Sequence, residues 1–217
     1  MRKHLTKLYV ARHGDTLWTS TGQYTGFADL PLTPEGEANA RRLGKRLMGI
    51  TFAKVFTSPL RRAARTCELA GFKEVAETDP DLMEWDYGQY EGWHTADIHR
   101  QRPGWQLFRD GCPGGESPEQ VRERADRVVR RLRGVNGNAL LFSSGHFIRA
   151  LAARWLGLGL CWGGGHFLLS PASLSILGYE HSLFQPVIRL WNDDHHVVSA
   201  ADTCETQSSL TSATERI

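Results

Sequence analysis

Short apolar runs alternate along this chain with longer segments in which apolar residues recur every three or four positions. The short runs are rich in β-branched and aromatic residues and predict strands over Lys7–Ala11, Ala53–Thr57, Ala139–Ser143, Ser173–Tyr179 and Val187–Trp191. The longer segments open with helix-start chemistry. In "LTPEGEANARRLGKRLMG", Thr33 is placed to cap, Pro34 to take the first helical position, and Glu35 and Glu37 to face the positive helix end. "TSPLRRAARTCELAG" repeats the order, with Ser58 as cap and Pro59 first. "ESPEQVRERADRVVRRLRG" does so again. Here Ser117 and Gln120 make a capping box, and Val121, Ala125, Val128, Val129 and Leu132 form one apolar stripe with the arginines opposite.

Strand followed by helix, repeated, predicts an α/β fold: a three-layer α/β/α sandwich around a mostly parallel sheet. A single domain is expected over residues 1–198. Residues 80–116, rich in Gly, Pro, Trp and Tyr, read as an insertion lying over a sheet edge, and residues 199–217 as a polar, disordered tail. With 217 residues, 41% of them hydrophobic, the chain can bury a sizeable core. Its 26 basic and 24 acidic residues leave a net charge of +2, which argues against a nucleic-acid-coating protein. The opening "MRKHLTKLYVARHG" lacks the apolar core of about 7–15 residues that marks a signal peptide. No apolar run approaches the roughly 18–20 residues of a membrane span. Cys67, Cys112, Cys161 and Cys204 are scattered without a C-x-x-C pair, so reduced thiols in a cytoplasmic protein are expected rather than disulfides or a zinc site.

Ligands of such sheets sit beyond the C-terminal strand ends. There the first run delivers Arg12 and His13, followed by Gly14, which lets the backbone turn. The second ends before a helix carrying Arg61, Arg62 and Arg65, and the run "ALLFSS" ends in Gly145-His146 at another helix start. Cations and histidines thus converge on one edge, where helix N-termini add positive charge. Without metal-ligand spacing, this set points to phosphate chemistry. A neutral imidazole attacks phosphorus and forms a phosphohistidine, while arginines and the second histidine neutralise the oxygens. A proton for the leaving oxygen is available from Glu84 in "DPDLMEWDYGQYEG", where apolar neighbours are expected to keep the acid form at hand. On spacing alone, Arg61 or Arg65 competes with Arg62, and Asp86 or Glu91 with Glu84.

Four blocks, "ARHGDT", "SPLRRAART", "LMEWDYGQYEG" and "SSGHFIRAL", resemble in order those of the histidine phosphatase superfamily, also called phosphoglycerate mutase-like, over about residues 7–192. The resemblance implies that His13 is the phosphorylated nucleophile, that Arg12, Arg62 and His146 bind the phosphoryl group, and that Glu84 donates the proton. Arg62 is the match because it directly precedes "AARTC". "TGQYTGFADLPLTPEGE", "EWDYGQYEG" and "RDGCPGGES" further resemble a branch holding actinobacterial acid phosphatases and fungal sedoheptulose 1,7-bisphosphatases. In that family "YTG" lies against the substrate phosphate, which implies contacts from the Thr25 hydroxyl and the Gly26 N–H. Many members carry asparagine six residues after the nucleophile; Thr19 stands there in this chain, with a hydroxyl to donate instead.

The expected activity is hydrolysis of small phosphate monoesters, sugar phosphates among them, at acidic to neutral pH, without a metal or organic cofactor. Small phosphorylated metabolites are the expected partners, with no nucleic acid or membrane, and the resemblance allows a homodimer. Alternatives are a selective sugar bisphosphatase, for which Arg109 in "FRDGC" would be a second anionic contact, then a cofactor-dependent phosphoglycerate mutase, then a non-catalytic phospho-ligand binder. The compact proton-donor block favours hydrolysis over the mutase, and the presence of a proton donor opposes the binder. "CWGGGHF" reads as a flexible connection because it lacks nucleotide-loop glycine spacing. His166, His181, His195 and His196 read as surface or packing residues. Trp85, Tyr90, Trp93, Trp105 and Phe108 are divided between pocket wall and simple packing.

Overall fold

The computed structural model describes residues 5–197. In chain order the elements are β1 (Leu8–Arg12), α1 (Leu17–Thr21), α2 (Pro34–Leu47), β2 (Lys54–Thr57), α3 (Arg61–Leu69), β3 (Ala76–Thr78), α4 (Thr95–Gln101), α5 (Leu107–Asp110), α6 (Pro118–Arg133), β4 (Ala139–Ser143), α7 (Gly145–Trp155), α8 (Leu160–Gly163), β5 (Leu174–Tyr179) and β6 (Pro186–Asp193). The six strands form one sheet in the order β3-β2-β4-β1-β5-β6. Pairing is parallel from β3 through β2 and β4 to β1, and antiparallel from β1 to β5 and β6. The mostly parallel α/β sheet flanked by helices is therefore as expected. The tail expected over 199–217 lies outside the described residues.

Alternation along the strands makes the three layers. On β1, Leu8 and Val10 enter the larger core beside α6 and α7, whereas Tyr9 and Ala11 enter the smaller core with Leu43 and Leu47 of α2. On β4, Ala139 and Leu141 face the first core, Leu140 and Phe142 the second. Both faces are covered, which is why these runs read as continuously apolar rather than alternating.

Two helix starts form as their local chemistry dictates. Thr33 accepts from Gly36 N at 3.0 Å, and Ser117 and Gln120 close their reciprocal box at 3.2 and 2.8 Å. The third differs. α3 begins at Arg61, not at Pro59, and its cap position is Leu60, without a side-chain bond. Asp29, from a distant loop, accepts from Arg61 N at 2.7 Å and takes the role expected of Ser58, whose hydroxyl accepts from Leu60 N at 3.3 Å. The stripe on α6 holds with one correction: Arg124 is buried among the apolar residues rather than opposite them. Residues 80–116 are also corrected. They are no loose insertion but join the larger core, to which Trp85, Tyr87, Tyr90, Ile98, Trp105, Leu107, Phe108 and Cys112 belong.

Candidate active site

β1 ends in Arg12, and His13 follows with its backbone held from both sides. Its N–H donates to Ser143 O at 3.0 Å, and its carbonyl accepts from Ala172 N at 2.9 Å. Gly14 is required by proximity rather than by a sharp turn. A Cβ there would lie 2.4 Å from Gly36 O, where the first turn of α2 crosses the loop. Gly14 N donates to Thr66 Oγ1 at 3.0 Å, which ties the same loop to α3.

The His13 ring is 2% exposed and held at both nitrogens. Nδ1–H donates to Gly14 O at 2.8 Å, so Nε2 carries the lone pair, and that lone pair accepts from Arg62 Nε–H at 3.2 Å. Burial, with the Arg62 and Arg12 cations adding to it, holds the imidazole well below the usual value of 6.5. The His13 imidazole is therefore neutral, with its proton on Nδ1 and its lone pair on Nε2.

Arg62 is fully buried, and its donors organise the neighbouring loop. Besides His13, it donates to Ala28 O at 2.9 Å, Thr25 O at 3.0 Å and Gly26 O at 2.8 Å. Arg61 and Arg65 lie elsewhere: Arg65 pairs with Glu37 and Glu68 on the surface, and Arg61 is exposed. Arg12 donates from Nη1 to Leu169 O, while its buried Nε has no hydrogen-bond partner among the described residues. Gly145 gives this guanidinium room, since a Cβ would stand 3.3 Å from Nε and Cζ. Burial lowers the pKa of both guanidiniums, against the raising effect of the Glu84 carboxylate. They are poorly solvated cations, ready to be paired with an anion.

Glu84 is buried at the start of α7. Its setting is not the apolar one expected. Oε1 accepts from Trp85 N at 2.9 Å and Phe147 N at 2.8 Å, and Oε2 from His146 N at 3.0 Å. The carboxyl group caps α7, whose first N–H groups consequently face Glu84 rather than a ligand. Oε2, with one donor against two on Oε1, keeps the spare lone pairs. Arg124 props this segment from below, donating to the carbonyls of Met83, Glu84 and Asp81 and to the Glu116 carboxylate. The competing carboxylates are engaged elsewhere. Asp86 accepts from Gly88 N at 2.9 Å, and Glu91 Oε1 accepts from Gly26 N and Ala28 N at 2.8 and 3.1 Å.

His146, at the start of α7, stacks on Tyr24 with centroids 5.6 Å apart and meets Tyr87 Oη through Nδ1 at 2.6 Å. Burial, then the Arg149 and Arg12 cations, hold this imidazole too well below 6.5.

Arg12, His13, Glu84 and His146 line one cavity of about 570 Å³, together with Tyr24, Tyr87, Trp105, Phe108 and Arg149. Arg62 reaches it through His13. Thr19, Thr25 and Arg109 line it as well, but with altered prospects. The Thr19 hydroxyl donates to Thr16 O at 2.9 Å in the capping box of α1, so its proton is already placed. Thr25 Oγ1 donates weakly to Gln23 O at 3.3 Å. The Gly26 N–H expected to meet phosphate goes to Glu91 instead, a correction that the close approach of residues 26 and 91 enforces. Arg109 stands half-exposed, its fork on Asp110 at 2.8 and 3.0 Å and on Gly104 O at 2.6 Å. Of the aromatic group, Trp105 and Phe108 line the cavity, while Trp85, Tyr90 and Trp93 pack in or against the core. "CWGGGHF" is not a loose connection. It forms α8 and a 3₁₀ turn held by Arg149, which donates to Gly164 O at 2.8 Å and Gly165 O at 3.1 Å.

Sequence reading missed Tyr24, Tyr87 and Arg149. Arg149 had a signal: three residues after His146 on a helix, it shares that residue's face. Among the described residues, no three His, Cys, Asp or Glu side chains gather as a metal-holding group, and no helix is long and apolar enough to cross a membrane.

Residues 8–194 match the family described as the histidine phosphatase superfamily (branch 1). An acid phosphatase of Mycobacterium tuberculosis is 40% identical over 189 residues, covering 85% of this chain and 91% of that protein. A sedoheptulose 1,7-bisphosphatase of Saccharomyces cerevisiae is 35% identical over 187 residues, covering 70% and 68%. Among solved structures, the product of a Mycobacterium tuberculosis open reading frame superposes with a TM-score of 0.83 at 37% identity, covering 88% of this chain and 99% of that one.

Proposed function

The chain belongs to the histidine phosphatase superfamily (branch 1), and from that membership we propose that it hydrolyses small phosphate monoesters through a phosphoryl group carried on His13. The observation that carries this reading is the state of His13: buried, neutral, with its Nε2 lone pair at a cavity edged by guanidiniums and a carboxyl group. In the first step Nε2 forms a bond to phosphorus as the ester P–O bond breaks. Arg62 Nε–H, relieved of the lone pair, turns to a phosphoryl oxygen, and Arg12 Nε–H and the His146 ring take the others. Glu84 Oε2 takes the proton that a monoanionic phosphate ester brings and gives it to the leaving oxygen. In the second step the same oxygen takes a proton from water as the water oxygen bonds to phosphorus and the P–N bond breaks, which returns His13 and releases phosphate. Sugar phosphates are among the proposed substrates.

The test is p-nitrophenyl phosphate with EDTA present, beside acid-free trapping of the labelled protein. Release of phosphate with the label on His13 is the expected outcome. Conversion of 3-phosphoglycerate to its 2-isomer without release would mark a mutase, and silence in both a binder. A second reading, a selective sugar bisphosphatase, is favoured by the yeast relative and by Arg149, a further cation on the cavity wall. A panel of mono- and bisphosphorylated sugars ranked by kcat/KM separates the two.

A further inference from the structure

We propose that Tyr87 is a positioning residue that assigns the proton of His146 to Nε2, so that this ring meets the phosphoryl group as a neutral N–H donor. The inference rests on the reading of His146 as a phosphoryl ligand and adds to it the group that determines its protonation. Tyr87 is 1% exposed, and its phenol oxygen lies 2.6 Å from His146 Nδ1. Two arrangements satisfy that distance, and proton accounting separates them. A phosphoryl oxygen only accepts, so if Nδ1 carried the ring proton and donated to the phenol oxygen, Nε2 would present a lone pair to a group that cannot donate. If the phenol donates to Nδ1, the ring proton stands on Nε2, where it can be donated to a phosphoryl oxygen.

The surroundings favour the same state. Burial, then the Glu84 charge, raises Tyr87 well above its usual 10, so the phenol keeps its proton. Around the ring, Tyr24 covers one face and Phe108 stands at 5.7 Å, while the charges nearest it, Arg149 and Arg12, oppose an imidazolium. The main chain is pinned as well, through His146 N on Glu84 Oε2. His146 is consequently a donor that neither gains nor loses a proton during turnover. Of the groups proposed to meet the phosphoryl group, Glu84 is then the one that carries a proton.

Nitrogen NMR of histidine-labelled protein tests this, with the His146 signals identified by their absence in His146→Gln. The expected spectrum shows a protonated Nε2 and a hydrogen-bonded, unprotonated Nδ1 on His146 across about pH 5–8, the window in which an ordinary histidine titrates. In Tyr87→Phe, which keeps the ring and removes the donor, a mixture of tautomers is expected, together with a fall in kcat of about tenfold, the usual worth of one such hydrogen bond. A proton on Nδ1 in the unaltered protein overturns the proposal. So does a tautomer unchanged in Tyr87→Phe, whether or not kcat falls, because the phenol would then act other than through His146. If Tyr87→Phe does not fold, the spectrum of the unaltered protein decides alone. Failure to hydrolyse p-nitrophenyl phosphate would remove the proposed function and leave the tautomer measurement standing.

Discussion

The floor and the mouth of the cavity are built differently. On the floor, His13 follows a strand end, His146 opens a helix, Glu84 comes from the loop that caps that helix, and Arg62, at another helix start, stands behind His13; each is buried or nearly so. Every one is held by hydrogen bonds to backbone or to another member of the set. At the mouth, α4, α5 and α8 are helices of seven, four and four residues, and Arg109, Cys161 and His166 are exposed. The floor is thus preorganised by the sheet and its two cores, as charge-stabilising catalysis demands. The mouth consists of short elements whose inner residues, Ile98, Leu107 and Phe108, join the core while their outer ones face the cavity entrance. Under the proposed function, this division assigns reaction type to the floor and substrate choice to the mouth.

The sharpest way to break this comparison is at His13. His13→Ala removes the ring nitrogen proposed to take the phosphoryl group. Turnover of p-nitrophenyl phosphate is expected to fall by roughly 10⁴-fold or more, as for other lost nucleophiles. Residual activity within tenfold of the unaltered protein would place the nucleophile elsewhere. Glu84→Gln keeps the shape and one oxygen but cannot transfer a proton, and kcat is expected to drop by about 10²–10⁴-fold, the range of general acid–base contributions. The loss should be smallest for p-nitrophenyl phosphate, whose leaving group needs a proton least, and largest for alkyl phosphates. An equal loss on both would mean that Glu84 acts through its cap on α7 instead.

A smaller effect follows from pH. His13 and His146 are both held well below 6.5 in the folded protein. An unfolded chain binds protons on these rings as pH falls through 6.5, and the folded protein does not. Their contribution to stability is therefore present in full above 6.5 and is lost as pH falls from there toward the depressed folded values. Tm is expected to decline on acidification, with a shallower slope in His146→Gln. Activity behaves differently. Because His13 stays neutral, kcat/KM for an aryl phosphate should not fall as pH drops through 6.5, and an acid limb centred at that value would contradict the observed burial.

How far the sequence disclosed each region follows from the range of the interactions involved. Thr33 and Ser117 cap helices through partners three residues away, so their role is written locally. Ser58 carries the same local signal, yet Asp29 caps Arg61 from 32 residues upstream, a choice only the folded chain makes. β3 escaped notice because it is three residues long, with Glu77 and Thr78 exposed, and offers no apolar period to read. On the floor, a histidine after a strand is ordinary by itself, and the ordered blocks of the family resemblance singled out His13, Arg12 and His146, which line one cavity. The Gly26 N–H was misassigned because its acceptor, Glu91, lies 65 residues away. Tyr87 was read as an apolar neighbour of Glu84, although its hydroxyl is the part that matters.

The mouth offers the smallest predicted effect and the one that best sharpens the contrast. Arg109 looks from sequence like a second anion contact, and it does line the cavity. Its guanidinium, however, is held in bidentate fashion by Asp110 at 2.8 and 3.0 Å, with a further donation to Gly104 O. To grip a second phosphate it would have to leave Asp110, and an exposed guanidinium gains little from exchanging one hydrated carboxylate for another anion. Arg109→Ala is therefore expected to leave kcat/KM within about twofold for monophosphates and bisphosphates alike, since exposed ion pairs are worth so little. Arg149 is more buried and lies on the same helix as His146, so Arg149→Ala should affect bisphosphates more if a second anion is read at all. A selective loss of bisphosphate turnover in Arg109→Ala would show that Asp110 releases its partner on binding. It would also shift the function toward the bisphosphatase reading, with the mouth, rather than Arg149 beside the floor, holding the second charge.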